Sequence, residues 1–154
     1  MAVTERVVQA PIDDVYAVLA NGWTYSDWVV GTAHIRAVDD HWPSPGAAIH
    51  HKAGPWPLSV QDKTVALATE KPRSLVVAPH MWPLGEARVT ITLTEVGPEA
   101  TRVRLAEDFH GGPLRWVRTK VNDLLLHYRN RESLRRLADL AVRRTHPAER
   151  STTD

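Results

Sequence analysis

The spacing of apolar positions changes twice along this chain. Val3 to Gln9 is rich in β-branched residues and predicts a first strand. Ala10-Pro11 interrupts it, and Pro11 can open a helix whose first turn carries Asp13 and Asp14, where carboxylates meet the positive end of the helix dipole. Val15, Val18 and Leu19 fall on one face of that helix. After Asn21-Gly22, a helix stop, the aromatic stretch from Trp23 to Gly31 is too short for a long helix and predicts a second short helix or turn.

From His34 to Phe109 the period becomes two. Apolar runs at His34 to Val38, Ala47 to Ala53, Leu58 to Leu67, Ser74 to His80, Ala87 to Val96 and Thr101 to Phe109 are separated by Pro- and Gly-rich turns, the spacing of an antiparallel sheet. Ala87, Val89, Ile91 and Leu93 alternate with Arg88, Thr90, Thr92 and Thr94, while Val103, Leu105 and Phe109 alternate with Arg102, Arg104 and Asp108. One face of the sheet is therefore buried and the other is wet.

From Pro113 to Arg144 apolar residues return at steps of three and four: Leu114, Val117, Val121, Leu124/Leu125 and Tyr128, then Leu134, Leu137/Ala138 and Leu140/Ala141. Pro113 suits the first turn of such a helix, and Pro147 lies beyond its end. The helix would span roughly 45 Å and needs something wide beneath it. The pattern predicts an α+β fold in which a curved seven-stranded antiparallel sheet wraps around the long C-terminal helix, with two short helices between strands 1 and 2. Residues 1–144 are expected to form one domain and residues 145–154 a polar, disordered tail.

Composition narrows the function classes. At 154 residues, 43% hydrophobic and 24% charged, the chain has the size and balance of one folded soluble domain. The absence of cysteine excludes a disulfide framework, a thiolate nucleophile and a zinc-cysteine site. The N-terminal residues enter a strand pattern without an apolar signal core, and no run approaches the roughly 20 apolar residues of a membrane span, so a cytoplasmic location is expected. A net charge of +1 argues against a nucleic-acid partner. Arg129, Arg131, Arg135, Arg136, Arg143 and Arg144 crowd the last helix, but Glu132 and Asp139 stand four residues before Arg136 and Arg143, which predicts a solvated face of ion pairs.

Val7-Val8-Gln9-Ala10-Pro11 running into Val15-Tyr16-Ala17-Val18-Leu19, then Trp28-Val29-Val30-Gly31, Gly111-Gly112-Pro113-Leu114 and Arg129-Asn130-Arg131-Glu132-Ser133-Leu134 resemble the SRPBCC superfamily. That is the START-like helix-grip fold shared by lipid-transfer domains, birch-pollen-type allergens and the polyketide cyclase/dehydrase-like branch. The resemblance runs from about Val3 to Ala141. It implies an apolar cavity between sheet and helix that binds a lipid, a polyketide or another hydrophobic small molecule, in some members with catalysis. It carries no catalytic motif onto this chain.

Strand parity locates a site independently. Alternate turns of a meander share an end, which gathers the turns holding Trp56 and Trp82, the Gly111-Gly112 turn and the start of the long helix into a candidate pocket mouth. The same two tryptophans could simply cover the end of the core. Glu107 shares the face of Val103, Leu105 and Phe109, aiming a carboxylate at the apolar side. There it could act as a general acid or anchor a ligand, or it could be held by an arginine or a tyrosine, and a bulge before Gly111 would turn it outward.

His50 and His51 are adjacent on a strand and face opposite ways; one of them, with His80, is a candidate hydrogen-bonding or acid/base group in the cavity. Phe109, Val117, Val121, Asn122, Leu125 and Tyr128 are candidate ligand contacts, with Trp28 as core packing or pocket wall. Eight histidines include no metal-ligand spacing, and there is no phosphate loop or nucleophile elbow, so no metal or cofactor is expected. Three functions follow in order. The first is a binder of a hydrophobic small molecule; the second is a cofactor-free cyclase or dehydratase using Glu107 and a cavity histidine; the weakest is a protein-interaction module. Monomer and homodimer both remain open.

Overall fold

The computed structural model describes residues 2–53, 60–81, 85–110 and 120–146. Strand β1 (Ala2–Val8) is followed by helix α1 (Ile12–Ala20), a 3-10 turn (Gly22–Thr24) and short helix α2 (Tyr25–Trp28). Then come β2 (Thr32–Val38), β3 (Ala48–Ala53), β4 (Val60–Glu70), β5 (Ser74–Met81), β6 (Gly85–Gly97), β7 (Ala100–His110) and helix α3 (Lys120–Thr145). The strands form one antiparallel sheet in the order β1-β7-β6-β5-β4-β3-β2. β1 lies at one edge; α1 and α2 carry the chain to the far edge, and the meander returns to close on β1. The fold is the expected α+β helix-grip arrangement.

Local chemistry explains the crossover. Pro11 caps α1 from an extended conformation, while Asp13 and Asp14 occupy its first turn. α1 buries Ile12, Val15, Tyr16, Val18 and Leu19. At its exit Gly22 lies so close to β2 that a Cβ there would stand 2.7 Å from Val38 Cγ1, so only glycine lets the chain turn against the sheet. Trp42 closes the same corner by donating its indole N–H to Leu19 O at 3.2 Å. Gly31, with φ +101°, turns the chain from α2 into β2.

Helix α3 packs along β1, α1 and α2. Among its described residues the buried ones are Asn130, Ser133, Leu134, Leu137, Ala138 and Ala141, with Asn130, Leu134, Leu137 and Ala141 at steps of four, three and four. Ser133 accepts a hydrogen bond from Val30 N at 3.1 Å, and Thr145 donates to Asp14 at 2.9 Å, fastening α3 to the crossover at both places. The expected stripe needs one correction. Leu124, Leu125 and Tyr128 are exposed, Tyr128 at 71%. Tyr128 precedes Leu137 by nine residues, about two and a half turns, and so lies on the opposite side of the helix.

Candidate functional site

In an antiparallel pair, opposed residues share a face of the sheet. Glu107 on β7 stands opposite Val89 on β6, and His51 on β3 opposite Ile35 on β2. All four are buried and point to the side covered by the helices. The buried residues described are mostly apolar, and this register sets a small number of polar groups among them.

Two groups form. In the first, Glu107 is 1% exposed. Arg129 Nη2 donates to both of its carboxylate oxygens, at 2.8 and 2.7 Å, and Asn130 Nδ2 donates to Oε2 at 3.1 Å. Arg129 was expected among the solvated arginines; instead it turns inward, because a buried carboxylate one strand away offers a stronger partner than water. Its Nε is buried and has no partner. Of the open alternatives for Glu107, the structure shows the arginine-held one.

In the second group, His51 Nε2 lies 2.9 Å from Thr64 Oγ1 on β4, and Thr64 Oγ1 donates to the Tyr25 hydroxyl at 3.4 Å. Tyr25 stacks on the imidazole with ring centres 5.9 Å apart and planes 19° from parallel. Burial pushes the Tyr25 phenol above its ordinary pKa, Thr64 and Arg129 oppose the shift, and Glu107 adds to it. The two groups are therefore close enough to feel one another's charge. Burial also lowers the His51 pKa, against an opposing pull from Asp62.

The other sequence candidates fall in different places. Trp28 is buried, edge-on to Tyr25 at 5.6 Å. Phe109 is half-buried on the strand and face of Glu107. His50 requires a correction: it points away from the core, half-exposed, with Nε2 3.2 Å from Asp39 Oδ1, and its neighbour His51 is the inward one. His80 is likewise on the outer face, 2.8 Å from Glu86 on β6. Leu125 and Tyr128 lie on the outer side of α3 and do not reach the polar groups. Val121 and Asn122 belong to α3, but their side chains, like Trp56, Trp82, Val117 and Gly111-Gly112, lie outside the described residues. Among the described residues, no group of three or more His, Asp or Glu side chains could hold a metal ion.

Sequence reasoning passed over Tyr25, Thr64, Arg129 and Asn130. Thr64 follows from parity with Ala66 and Asn130 from stepping the Leu134/Leu137 seam back one turn. Arg129 carried no apolar signal to mark it as inward.

A family model described as polyketide cyclase / dehydrase and lipid transport matches residues 2–142. A comparison with curated protein sequences finds no match. Among solved structures, the chain is similar to the Zhui aromatase/cyclase from Streptomyces sp. R1128, at 17% identity and a TM-score of 0.70 over 96% of each chain. It is similar to Ara h 8.0201 at 10% identity and a TM-score of 0.68, over 91% of this chain and 95% of that one. It also resembles DynU16, a putative protein of the dynemicin biosynthetic locus, at 20% identity and a TM-score of 0.64. That match covers 90% of this chain, which spans 45% of DynU16.

Proposed function

The chain belongs to the polyketide cyclase / dehydrase and lipid transport family, and on that premise we propose that it binds a hydrophobic small molecule, lipid-, polyketide- or aromatic-like, between its sheet and α3. One observation carries the reading. Polar side chains from α2, β3, β4, β7 and α3 enter a mostly apolar interior, and two of their nitrogens, His51 Nδ1 and Arg129 Nε, are buried without partners. Apolar walls with a few placed polar groups are how small-molecule sites gain affinity and orientation together. A pair serving only the fold would be expected to satisfy itself completely.

The second reading, a cofactor-free cyclase- or dehydratase-type enzyme, is supported by His51, a neutral buried imidazole with one open nitrogen, and by the fold shared with an aromatase/cyclase. Under it, Glu107, bonded through both carboxylate oxygens to Arg129 and through one to Asn130, orients Arg129. Native mass spectrometry of the chain purified from its own host tests the main reading. A co-purifying apolar compound released on denaturation is expected. An empty protein that also fails to bind added aromatic probes overturns it.

A further inference from the structure

His51 is 4% exposed, yet its Nδ1 has no partner. Thr64, fully buried, stands between the Tyr25 hydroxyl at 3.4 Å and the imidazole, and with its hydroxyl hydrogen directed to Tyr25 it offers the imidazole a lone pair. In that arrangement Nε2, 2.9 Å away, carries the ring hydrogen. Charged groups around the ring are Asp62 from β4, which favours protonation, and Arg36 from β2, which opposes it together with His50 on the same strand. Burial outweighs Asp62 and favours the neutral ring, and with the ring hydrogen on Nε2 the unpartnered Nδ1 is an acceptor. Tyr25, stacked on the ring, holds its plane. A rigid acceptor buried and unmet is costly unless something arrives to meet it.

We propose that His51 Nδ1 is the acceptor for a hydroxyl group of the bound molecule, so that the ligand is an apolar compound carrying a phenolic or enolic O–H, with Thr64 and Tyr25 as positioning residues that fix the tautomer and the plane of the ring. The inference rests on the small-molecule reading above and gives it a chemical class. Titration calorimetry with 2-naphthol and 2-methylnaphthalene tests it, because the two match in size and differ in the O–H donor. His51→Phe keeps a stacked ring and removes the acceptor. It should lower the naphthol-to-methylnaphthalene affinity ratio about five- to tenfold, the worth of one buried hydrogen bond, with methylnaphthalene affinity held within about twofold.

An unchanged ratio overturns the inference and leaves the small-molecule reading standing; that is also the result if Nδ1 meets only a water that no ligand displaces. Failure of the wild-type chain to bind either compound overturns both. Long-range nitrogen–proton NMR of the wild-type chain needs no variant to fold. It should show the Nε2–H tautomer, with the Nδ1 signal moving as 2-naphthol binds. An Nδ1–H tautomer, or an Nδ1 signal indifferent to bound 2-naphthol, overturns the inference.

Discussion

A carboxylate that is 1% exposed has lost its water, and at Glu107 the loss is offset by Arg129 on two short bonds and Asn130 on a third. Taking Arg129 away leaves that charge stranded. Arg129→Met is therefore expected to destabilise the chain by about 3 kcal/mol, at the low end for a broken buried pair because the arginine keeps some contact with solvent. Removing both charges, as Glu107→Leu with Arg129→Met, should recover most of that loss. Urea unfolding of the two single variants and the double variant measures it, and strictly additive losses would show that the pair is not coupled. Strand alternation made the inward aim of Glu107 readable from Val103 and Leu105. What lay beyond the sequence was its partner: an arginine among six on one helix declares its direction only when the phase of that helix is known. His50 and His51 posed a similar choice, settled by register, since His51 stands opposite buried Ile35.

At the level of elements, α3 divides by phase. Leu137 is fully buried on the seam through Leu134 and Ala141, whereas Leu124 and Leu125 are 70% and 62% exposed on other sides. Leu137→Ala should cost about 2–5 kcal/mol through lost burial and the cavity left behind. Leu124→Ala should stay within about 0.5 kcal/mol. Comparable losses in thermal melts of the two variants would refute this phase. The sequence concealed it because two apolar runs, one through Tyr128 and one from Leu134, follow each other at helical steps while lying about half a turn apart. On the outer face the ion-pair ladder was legible in part. Glu132 does meet Arg136, and also Arg135, but Asp139 is taken by Arg135 one turn back. The sheet was clearer throughout, because period-two alternation and Pro/Gly turns mark each strand locally, without reference to any neighbour. The proposed pocket mouth at Trp56 and Trp82 lies outside the described residues.

For the molecule as a whole, acid should act in two separate windows. His51 has a folded pKa below its ordinary 6.5. As pH falls through 6.5 the unfolded chain takes up this proton before the folded one does. The contribution of His51 is therefore full above pH 6.5 and begins to be lost just below it. The carboxylates act lower. Glu132, held first by Arg135 and then by Arg136, is brought from 4.5 to about 2, and Asp39 is lowered from 3.8 by the Ala48 N–H and by His50. Their contributions are complete above those ordinary values and disappear as pH falls through the folded ones. The groups sit on β3, on α3 and in the β2–β3 connection, so unfolding of the whole chain registers all of them. Unfolding free energy measured from about pH 7.5 down to about pH 3 should show an upper decline starting near pH 6.5 and a steeper lower one beginning near pH 4.5. His51→Phe should flatten the upper decline and leave the lower one in place. A wild-type profile already flat between those two limits would mean that His51 is protonated without cost in the folded chain, and that its ring is not held neutral by burial.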